Sequence, residues 1–417
     1  MPQIDLKYGR SHVAFEYDEE RFNILSVGGN GPPLTDMEID AKLDTPVGAD
    51  SIEETVEPGE TVLFVVPDAT RQTGCGQIVN LLVRRLIAFG TAPFDIRIIF
   101  ATGIHRPVTD AEKDAILTPF ITQRIKTLAH GPRDLMQIVS VGKTSSGIPV
   151  ELNRALLEHD HVILVGGVNF HYFAGFTGGR KLICPGLASS KTVSATHKLA
   201  FDCETLDRRS GVGTGILDGN AVHEAFLEAA GKIRSVFCVS TVVNDAGEVI
   251  DLTCGELDAS HRAACDVYAR TRTVSIREKR DLVIASCGGF PHDINIIQAH
   301  KALDAAAGAC TDGGRIVLLA ECSEGLGRGD FGAWFAAADS DELARRLCEK
   351  YQVNGQAAWS LLKKAERYDV RLMSSLSDEV TAPMRLTKIT DIAKAAETAG
   401  VPRGYIIPGG GKVRVVI

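Results

Sequence analysis

TVLFVV, at Thr61–Val66, is an almost continuous apolar run near the start of the chain. A strand that is apolar on both faces is typical of a parallel sheet covered by helices on both sides. Two later runs have the same character, IRIIFA at Ile96–Ala101 and VILV at Val162–Val165. Helical patterns lie between them, including QIVNLLVRRLIAF after Gly76. The repeated order of strand, loop and helix predicts a doubly wound α/β fold.

The length and the second half of the chain indicate two α/β domains with largely parallel sheets. A chain of 417 residues exceeds what one hydrophobic core usually organises. Val236–Val243 and Glu248–Leu252 flank a short polar turn and predict a β-hairpin, and a new strand–loop–helix pattern begins near Ile276. We therefore predict an N-terminal domain over residues 1–272 and a C-terminal domain over 273–403. A final strand segment, 404–417, can return to the N-terminal domain.

Composition and charge argue against several classes of protein. The net charge of -8 argues against a nucleic-acid-binding protein, which would need a basic face. No apolar run reaches the roughly 18 residues of a membrane helix, and the opening MPQIDLKYGR lacks the pattern of a signal peptide. The ten cysteines are scattered without a C-x-x-C pair. We expect them to be small buried side chains in a reducing compartment, which predicts a cytoplasmic protein.

Polar residues follow each of the three apolar strands. The first strand leads into Asp68 and Arg71, the second into His105, and the third into His171. A single polar residue after a strand is usually a helix cap. Ligands of open α/β sheets, however, bind beyond the carboxyl ends of the strands. Three such ends together favour a catalytic site on one rim of the sheet.

The third loop continues into a glycine-rich segment that ends in a lysine. It runs FAGFTGGRK from Phe173 to Lys181, and its glycines allow backbone N–H groups to approach an anion. The spacing fits neither a Walker P-loop nor G-x-G-x-x-G. The residues alone predict a phosphate- or carboxylate-binding loop, with a flexible surface loop as the alternative. His197, on a following helix that starts at Ser189-Ser190, would by itself be read as structural.

The second domain carries one further polar pair. After the strand Leu282–Ala285 and a Gly288-Gly289 loop, a helix presents Gln298 and Lys301 at i and i+3 on one face. An amide and an ammonium that project together suit a carboxylate ligand, although a solvated helix face remains the alternative.

Taken together, these segments resemble the nickel-dependent lactate racemase family and its broader group of 2-hydroxy acid racemases and epimerases. The long central motif is specific, the others are weak alone, and the resemblance covers nearly the whole chain in the family's order. The matching segments are D-x-T-R at Asp68–Arg71, T-G-x-H-R at Thr102–Arg106, H-x-F-A-G-F-x-G-G-R-K at His171–Lys181, the later His197, and G-G-x-P…Q-x-x-K from Gly288 to Lys301.

The resemblance implies a nickel-pincer nucleotide, a pyridinium mononucleotide whose two sulfur-bearing arms and ring carbon bind nickel together with a histidine. It implies an N-terminal domain that binds the cofactor, a C-terminal domain that binds substrate, and an active site in the cleft between them. Enzymes that make and insert the cofactor would be transient partners. The residues that match family positions are Lys181 as the covalent tether, His197 as the nickel ligand, His105 and His171 as catalytic residues, Asp68, Thr177, Gly178 and Gly179 at the nucleotide, and Arg71, Ile297, Gln298, Lys301 and Trp359 at the substrate.

The implied reaction explains why two histidines are present. One histidine takes the hydroxyl proton of a 2-hydroxy acid while hydride moves to the cofactor, which leaves a planar 2-keto acid. Hydride then returns on the opposite face and the other histidine supplies the proton. Histidine can act as base and then as acid near neutral pH.

Ile297 departs from the lactate racemase pattern, which has a tyrosine before the matching glutamine. The change removes a phenol hydroxyl from the expected substrate wall. We therefore expect a substrate other than lactate, such as a larger or more aliphatic 2-hydroxy acid.

Two other classes of function stay open at this point. A divalent-metal hydrolase or lyase could use the same histidines, but the chain has no H-E-x-x-H motif and would leave the lysine without a role. A non-catalytic protein that binds a nucleotide or an organic acid would not need both histidines. Metal analysis, intact mass and replacement of His105 and His171 separate the three.

Overall fold

The computed structural model describes residues 1–27, 31–397 and 403–417. In chain order the strands are β1 (Gln3–Tyr8), β2 (Ser11–Glu16), β3 (Phe22–Ile24), β4 (Val62–Pro67), β5 (Ile96–Ala101), β6 (Lys126–Leu128), β7 (Ile138–Lys143), β8 (Pro149–Asn153), β9 (His161–Gly167), β10 (Phe170–His171), β11 (Ala174–Phe176), β12 (Phe201–Asp202), β13 (Asp207–Arg208), β14 (Gly213–Thr214), β15 (Val236–Val243), β16 (Val249–Gly255), β17 (Thr273–Ser275), β18 (Arg280–Ser286), β19 (Cys310–Leu319), β20 (Asp369–Met373), β21 (Thr387–Ile389), β22 (Gly404–Ile407) and β23 (Arg414–Val416).

The helices are α1 (Asp36–Leu43), α2 (Ile52–Thr55), α3 (Cys75–Phe89), α4 (Asp110–Leu117), α5 (Pro119–Thr122), α6 (Ala155–Glu158), α7 (Ser190–Lys198), α8 (Ala221–Ala230), α9 (Leu257–Arg272), α10 (Ile296–Ala299), α11 (Ala302–Ala309), α12 (Ser340–Glu349), α13 (Val353–Arg367), α14 (Asp378–Thr381) and α15 (Ile392–Ala396). Short 3₁₀ segments cover Pro93–Asp95, Gly179–Leu182, Gly332–Ala336 and Ala382–Met384.

The described residues form two compact units. Unit I lies within Gly29–Ala200 and Ser210–Thr271, and unit II lies within Met1–Gly28, Phe201–Arg209 and Arg272–Ile417. Each unit is built around its own six-stranded sheet. The prediction of two α/β domains is confirmed.

The sheet of unit I has the strand order β16-β15-β9-β4-β5-β6. All neighbours in it are parallel except β15 and β16, which form the predicted hairpin. Val62–Val66 of β4 is fully buried, as the apolar run predicts, because helices cover the strand. Ile78 and Leu82 of α3 pack in the same core cluster as Phe64.

The sheet of unit II has the order β21-β20-β19-β18-β22-β3, and every neighbouring pair in it is parallel. Val283 and Ile316, on adjacent strands, lie in a core cluster with Leu303 of α11 and Leu361 of α13. This arrangement places the β18 end, and the Gly288-Gly289 loop that follows it, in the middle of the sheet.

The residues that belong to each unit differ from the predicted domain bounds. The strand segment after residue 404 stays in unit II, since β22 lies between β18 and β3 and β23 pairs with β17. Residues near the N-terminus also belong to unit II, where Leu6 and Phe15 pack in one core cluster with Leu282 and Ile284. The local apolar pattern of a short strand does not reveal which sheet it extends.

The excursion Phe201–Arg209 is fixed to unit II by a disulfide and by ion pairs. Cys203 and Cys348 are bonded, with Cα atoms 5.7 Å apart. Asp207 pairs with Lys363 at 2.5 Å, and Arg208 lies 3.6 Å from Asp304. The expectation of unpaired cysteines is therefore wrong for this pair, which is 145 residues apart in sequence, so no local spacing could signal it. The other eight cysteines are free and buried, as expected.

Among the described residues, no helix has the combination of length and apolar character that is needed to cross a membrane.

Candidate active site

Three neighbouring strands of unit I bring polar loops to one rim of the sheet. β4 is flanked by β9 and β5, and the three strands are parallel. Asp68 follows β4, His105 lies in the loop after β5, and His171 closes β10 just beyond β9. Because the carboxyl ends of parallel strands lie at the same edge, strand order alone places these three loops side by side.

Asp68 fixes the tautomer of His105. His105 Nδ1 lies 2.7 Å from Asp68 Oδ2, with the carboxylate buried and the imidazole 46% exposed. Burial alone would raise the pKa of Asp68, but hydrogen bonds from His105 and Thr70 outweigh it and lower the pKa to about 2. The ionised carboxylate accepts the Nδ1 proton, so the lone pair of neutral His105 lies on Nε2, where it can act as a base.

Both carboxylate oxygens of Asp68 have hydrogen-bond partners within the chain. Oδ1 accepts hydrogen bonds from the backbone N–H and the hydroxyl of Thr70, and Oδ2 faces His105. The sequence predicts that Asp68 holds the nucleotide. That role stays a prediction, and the contacts within the chain show in addition that Asp68 orients His105, with Arg71 adding a nearby positive charge.

His171 has the complementary tautomer. Its Nδ1 accepts a hydrogen bond from the backbone N–H of Ala174 at 3.3 Å, which places the proton of the neutral ring on Nε2. The ring is buried, and its centroid lies 4.4 Å from that of Phe173. Neutral His105 therefore has a lone pair at Nε2, whereas neutral His171 has its N–H there and becomes an acid only when the ring is protonated.

Lys181 and His197 share one aromatic wall. Lys181 Nζ lies 5.7 Å from the ring centroid of Phe173 and 5.5 Å from that of Phe226. The His197 ring lies 5.2 Å and 5.4 Å from the same two rings. Since Phe173 also contacts His171, the fold brings these three predicted site residues together around a single phenylalanine.

His197 is held as a neutral imidazole. It lies on α7, whose N-cap Ser189 accepts a hydrogen bond from the backbone of Thr192, as the predicted helix start requires. Its Nδ1 donates to the carbonyl of Val193 at 2.8 Å. Burial, and secondarily the charge of Lys181, lowers the pKa of His197 to about 3. The lone pair therefore lies on Nε2, which is the usual arrangement of a metal-ligating histidine.

The glycine-rich loop is bent tightly against its support. Gly178 and Gly179 have φ angles of 78° and 51°, which favour glycine. A Cβ at Gly179 would lie 2.7 Å from the ring of His261. The Thr177 hydroxyl donates to the carbonyl of Gly167 at 2.9 Å. The predicted loop is thus an ordered turn rather than a flexible surface segment, and Lys181 is half-buried at its end.

Sequence reasoning did not single out the residues beneath this loop. Arg180 is 1% exposed, and His261, on α9, contacts both Arg180 and the carbonyl of Thr177. Arg180 lies inside the long motif, so its position was an available signal. His261 carries no motif and is found only through the fold.

Gln298 and Lys301 of unit II are in contact, but not on the single predicted helix, because α10 ends at Ala299 and Lys301 is the N-cap of α11. Asn295 caps α10 by accepting from the backbone of Gln298, and Lys301 Nζ donates to Gln298 Oε1 at 2.5 Å. This contact uses the amide oxygen, so the amide N–H₂ group and the ammonium can both donate to a carboxylate.

Trp359 of α13 is buried against Phe201, with ring centroids 5.0 Å apart. Its indole Nε1 is buried and, within the described part of the chain, makes no hydrogen bond. Ile297 packs against the same core cluster. A buried indole N–H without an acceptor is costly, which favours a ligand acceptor at this place.

The side chains of unit I fit a cofactor that carries its own metal ligands. His197 supplies a neutral imidazole, a donor that suits nickel, and Lys181 supplies an amine beside the same aromatic wall. Of the described residues, no three or more His, Cys, Asp or Glu side chains lie together as a metal site. The donor set is thus compatible with a metal that reaches the chain already bound to an organic group.

The chain matches known proteins in sequence over most of its length. Residues 8–207 match the lactate racemase N-terminal domain, and residues 276–404 match the lactate racemase C-terminal domain. The lactate racemase of Lactiplantibacillus plantarum is 31% identical over 82% of this chain and 80% of its own length. That of Thermoanaerobacterium thermosaccharolyticum is 29% identical over 84% of this chain and 82% of its own.

Two solved structures are also similar to this chain in fold. The lactate racemase apoprotein from Thermoanaerobacterium thermosaccharolyticum superposes with a TM-score of 0.90 at 28% identity, covering 99% of this chain and 100% of that one. A protein from Thermotoga maritima superposes with a TM-score of 0.73 at 21% identity, covering 93% and 99% of the two chains. The second similarity is one of fold alone.

Proposed function

Because the chain belongs to the lactate racemase family, we propose that it is an isomerase that inverts C2 of a 2-hydroxy acid with a nickel-pincer nucleotide. The observation that carries the proposal is the convergence of His171, Lys181 and His197 on Phe173. In this proposal Lys181 holds the cofactor covalently and His197 Nε2 binds the nickel. Thr177, Gly178 and Gly179 hold the nucleotide from the loop before the lysine.

When bound, the cofactor supplies the acceptor, and afterwards the donor, of the C2 hydride. The two histidines perform the proton transfers. His105 Nε2 takes the hydroxyl proton, since Asp68 keeps its lone pair there, and the C2 centre becomes a planar 2-keto group. His171 supplies a proton from its protonated form when the opposite enantiomer forms, and this transfer leaves its ring neutral. In the reverse direction the two histidines exchange roles.

The substrate carboxylate is assigned to the donors of Gln298 and Lys301, with Arg71 as a further cation. Charge-assisted contacts of this kind orient a carboxylate, and Ile297 and Trp359 are the proposed apolar contacts of the acid's side chain. Since Ile297 offers no hydroxyl, we propose an aliphatic 2-hydroxy acid longer than lactate.

Enzymes that build and insert the cofactor are the proposed transient partners. We propose the cytoplasm as the compartment, in which Cys203 and Cys348 would be largely reduced.

The deciding experiment is co-expression with cofactor-making enzymes, followed by intact mass, nickel analysis and a panel of chiral C3–C6 2-hydroxy acids. We expect a covalent adduct, stoichiometric nickel and loss of optical purity. Lys181→Arg should keep the charge but lose the adduct, whereas His197→Ala should keep the adduct and lose nickel. A loaded wild type that leaves every acid optically pure would refute the proposed reaction.

A further inference from the structure

Arg180 is a buried cation without a carboxylate partner among the described residues. Its Nη2 donates to the carbonyl of Ala174 at 2.8 Å, and its Nη1 lies 3.5 Å from the carbonyl of Gly178. Burial lowers the pKa of this guanidinium to about 10, so it stays charged at neutral pH. Burying a charge in this way is expensive, and backbone carbonyls and one histidine are what offset it.

That histidine is His261. Its Nε2 lies 3.0 Å from Arg180 Nη1 and 2.9 Å from the carbonyl of Thr177, and its ring occupies the space that a Cβ at Gly179 would need. Burial, and secondarily the charge of Arg180, holds the pKa of His261 well below its ordinary value. The ring is therefore neutral.

A neutral ring can make either contact, and a protonated ring can make only the one to Thr177. With the proton on Nε2, His261 donates to Thr177; with the proton on Nδ1, Nε2 accepts from Arg180. Each tautomer keeps one hydrogen bond to the loop. An imidazolium would instead place a second cation 3.0 Å from the guanidinium.

The position of Arg180 affects the position of Lys181, because both side chains belong to the same turn. Gly179–Leu182 is a 3₁₀ segment, and three residues per turn separate consecutive side chains by about 120°. Arg180 points into the interior and Lys181 is half-buried, facing Phe173 and Phe226. Fixing the Arg180 side chain fixes the rotation of the turn, and with it the direction of Lys181.

We propose that His261 and Arg180 are positioning residues that aim the Lys181 amine at the cofactor site. This inference rests on the proposed role of Lys181 as the cofactor tether. It assigns a function to α9, a helix that carries no residue of the predicted site.

The test compares three variants of the full-length chain. His261→Leu removes both hydrogen-bonding nitrogens, and His261→Gln restores one donor and one acceptor. His130→Leu is the matched control, because His130 is another buried, neutral histidine of unit I that contacts Asn153 and Ala188 instead of the loop. Hydrogen exchange of residues 177–182 and acetylation of Lys181 are measured without cofactor. Adduct occupancy and kcat are measured after loading.

In His261→Leu we expect loop exchange to rise about tenfold, the effect of one lost buried hydrogen bond. Lys181 acetylation should change with it, and kcat should fall about 100-fold with a small change in KM. His261→Gln should recover most of each effect, and His130→Leu should show none of them. If His261→Leu folds poorly, Arg180→Lys takes its place, since it keeps the charge and loses the planar contacts.

Wild-type loop exchange and lysine reactivity in His261→Leu would overturn the inference, as would equal effects in His130→Leu. A wild type without any adduct would refute the tether instead. The exchange measurement would then still decide whether His261 orders the loop.

Discussion

His105 Nδ1 lies 2.7 Å from a buried carboxylate oxygen of Asp68, so the tautomer of one predicted catalytic histidine is set by a residue that follows the neighbouring strand. His171 is set in the opposite tautomer by a backbone N–H. The two neutral rings therefore have opposite tautomers.

Asp68→Asn should reverse the tautomer of His105, and measured adduct and nickel content separate this effect from a loss of cofactor. The amide oxygen would accept from Thr70, which turns the N–H₂ group towards His105 and moves the imidazole proton to Nε2. We expect kcat to fall by about 10³- to 10⁴-fold, as in other carboxylate–histidine pairs. Steady-state rates of the loaded enzyme, with adduct and nickel content measured in parallel, check this. Thr70→Val, which spares the His105 contact, should lose far less, and equal losses in both variants would contradict the assignment.

Ile297→Tyr should shift substrate preference towards lactate. The phenol adds a hydroxyl and fills space that an aliphatic substrate chain would occupy. We expect the ratio of kcat/KM for lactate to that for a C5 2-hydroxy acid to rise by about tenfold or more. Ile297→Leu controls for a change of shape without a hydroxyl. An unchanged ratio of the two kcat/KM values in Ile297→Tyr would show that Ile297 does not contact the substrate.

Lowering the pH should destabilise the fold through its buried neutral histidines. Burial lowers the pKa of His130 to about 4, although its hydrogen bond to the Ala188 carbonyl acts in the opposite direction. The unfolded chain binds the proton with the ordinary pKa near 6.5, so between these values it holds more protons than the folded chain. Stability present above pH 6.5 is thus lost as the pH falls towards 4, at about 1.4 kcal/mol per pH unit for this group.

Urea denaturation at pH 7, 6 and 5 measures that slope. His130→Gln should flatten it by about one proton. A variant with the wild-type slope would show that His130 is not protonated on unfolding in this range.

Reduction of the Cys203–Cys348 bond should lower the free energy of unfolding by about 2–4 kcal/mol, because the bond closes a long loop in the unfolded chain. Chemical denaturation with and without a thiol reductant tests this. Cys203→Ser should match the reduced wild type and should not respond to reductant. A reductant effect of equal size in that variant would place the sensitive thiols elsewhere.

The sequence was informative where a structural feature depends on residues that are close together along the chain. The apolar runs Thr61–Val66 and Val162–Val165 predict the strands observed at Val62–Pro67 and His161–Gly167, because a strand buried on both faces must be apolar along its length. The same holds for the hairpin of β15 and β16, and for the Asn295 region, where a cap, an amide and a lysine lie within one short segment.

The tertiary structure decided what depends on residues far apart along the chain. The carboxylate that orients His105, the cysteine that bonds Cys203, and the histidine beneath Gly179 are each tens of residues or more from their partners. A periodic pattern records which face of an element is buried, but not which element lies against it. The sequence by itself determined the elements and the residue types of the site. Only the packing of strands and helices decided which nitrogen of each histidine carries the proton, because a tautomer is fixed by its hydrogen-bond partners.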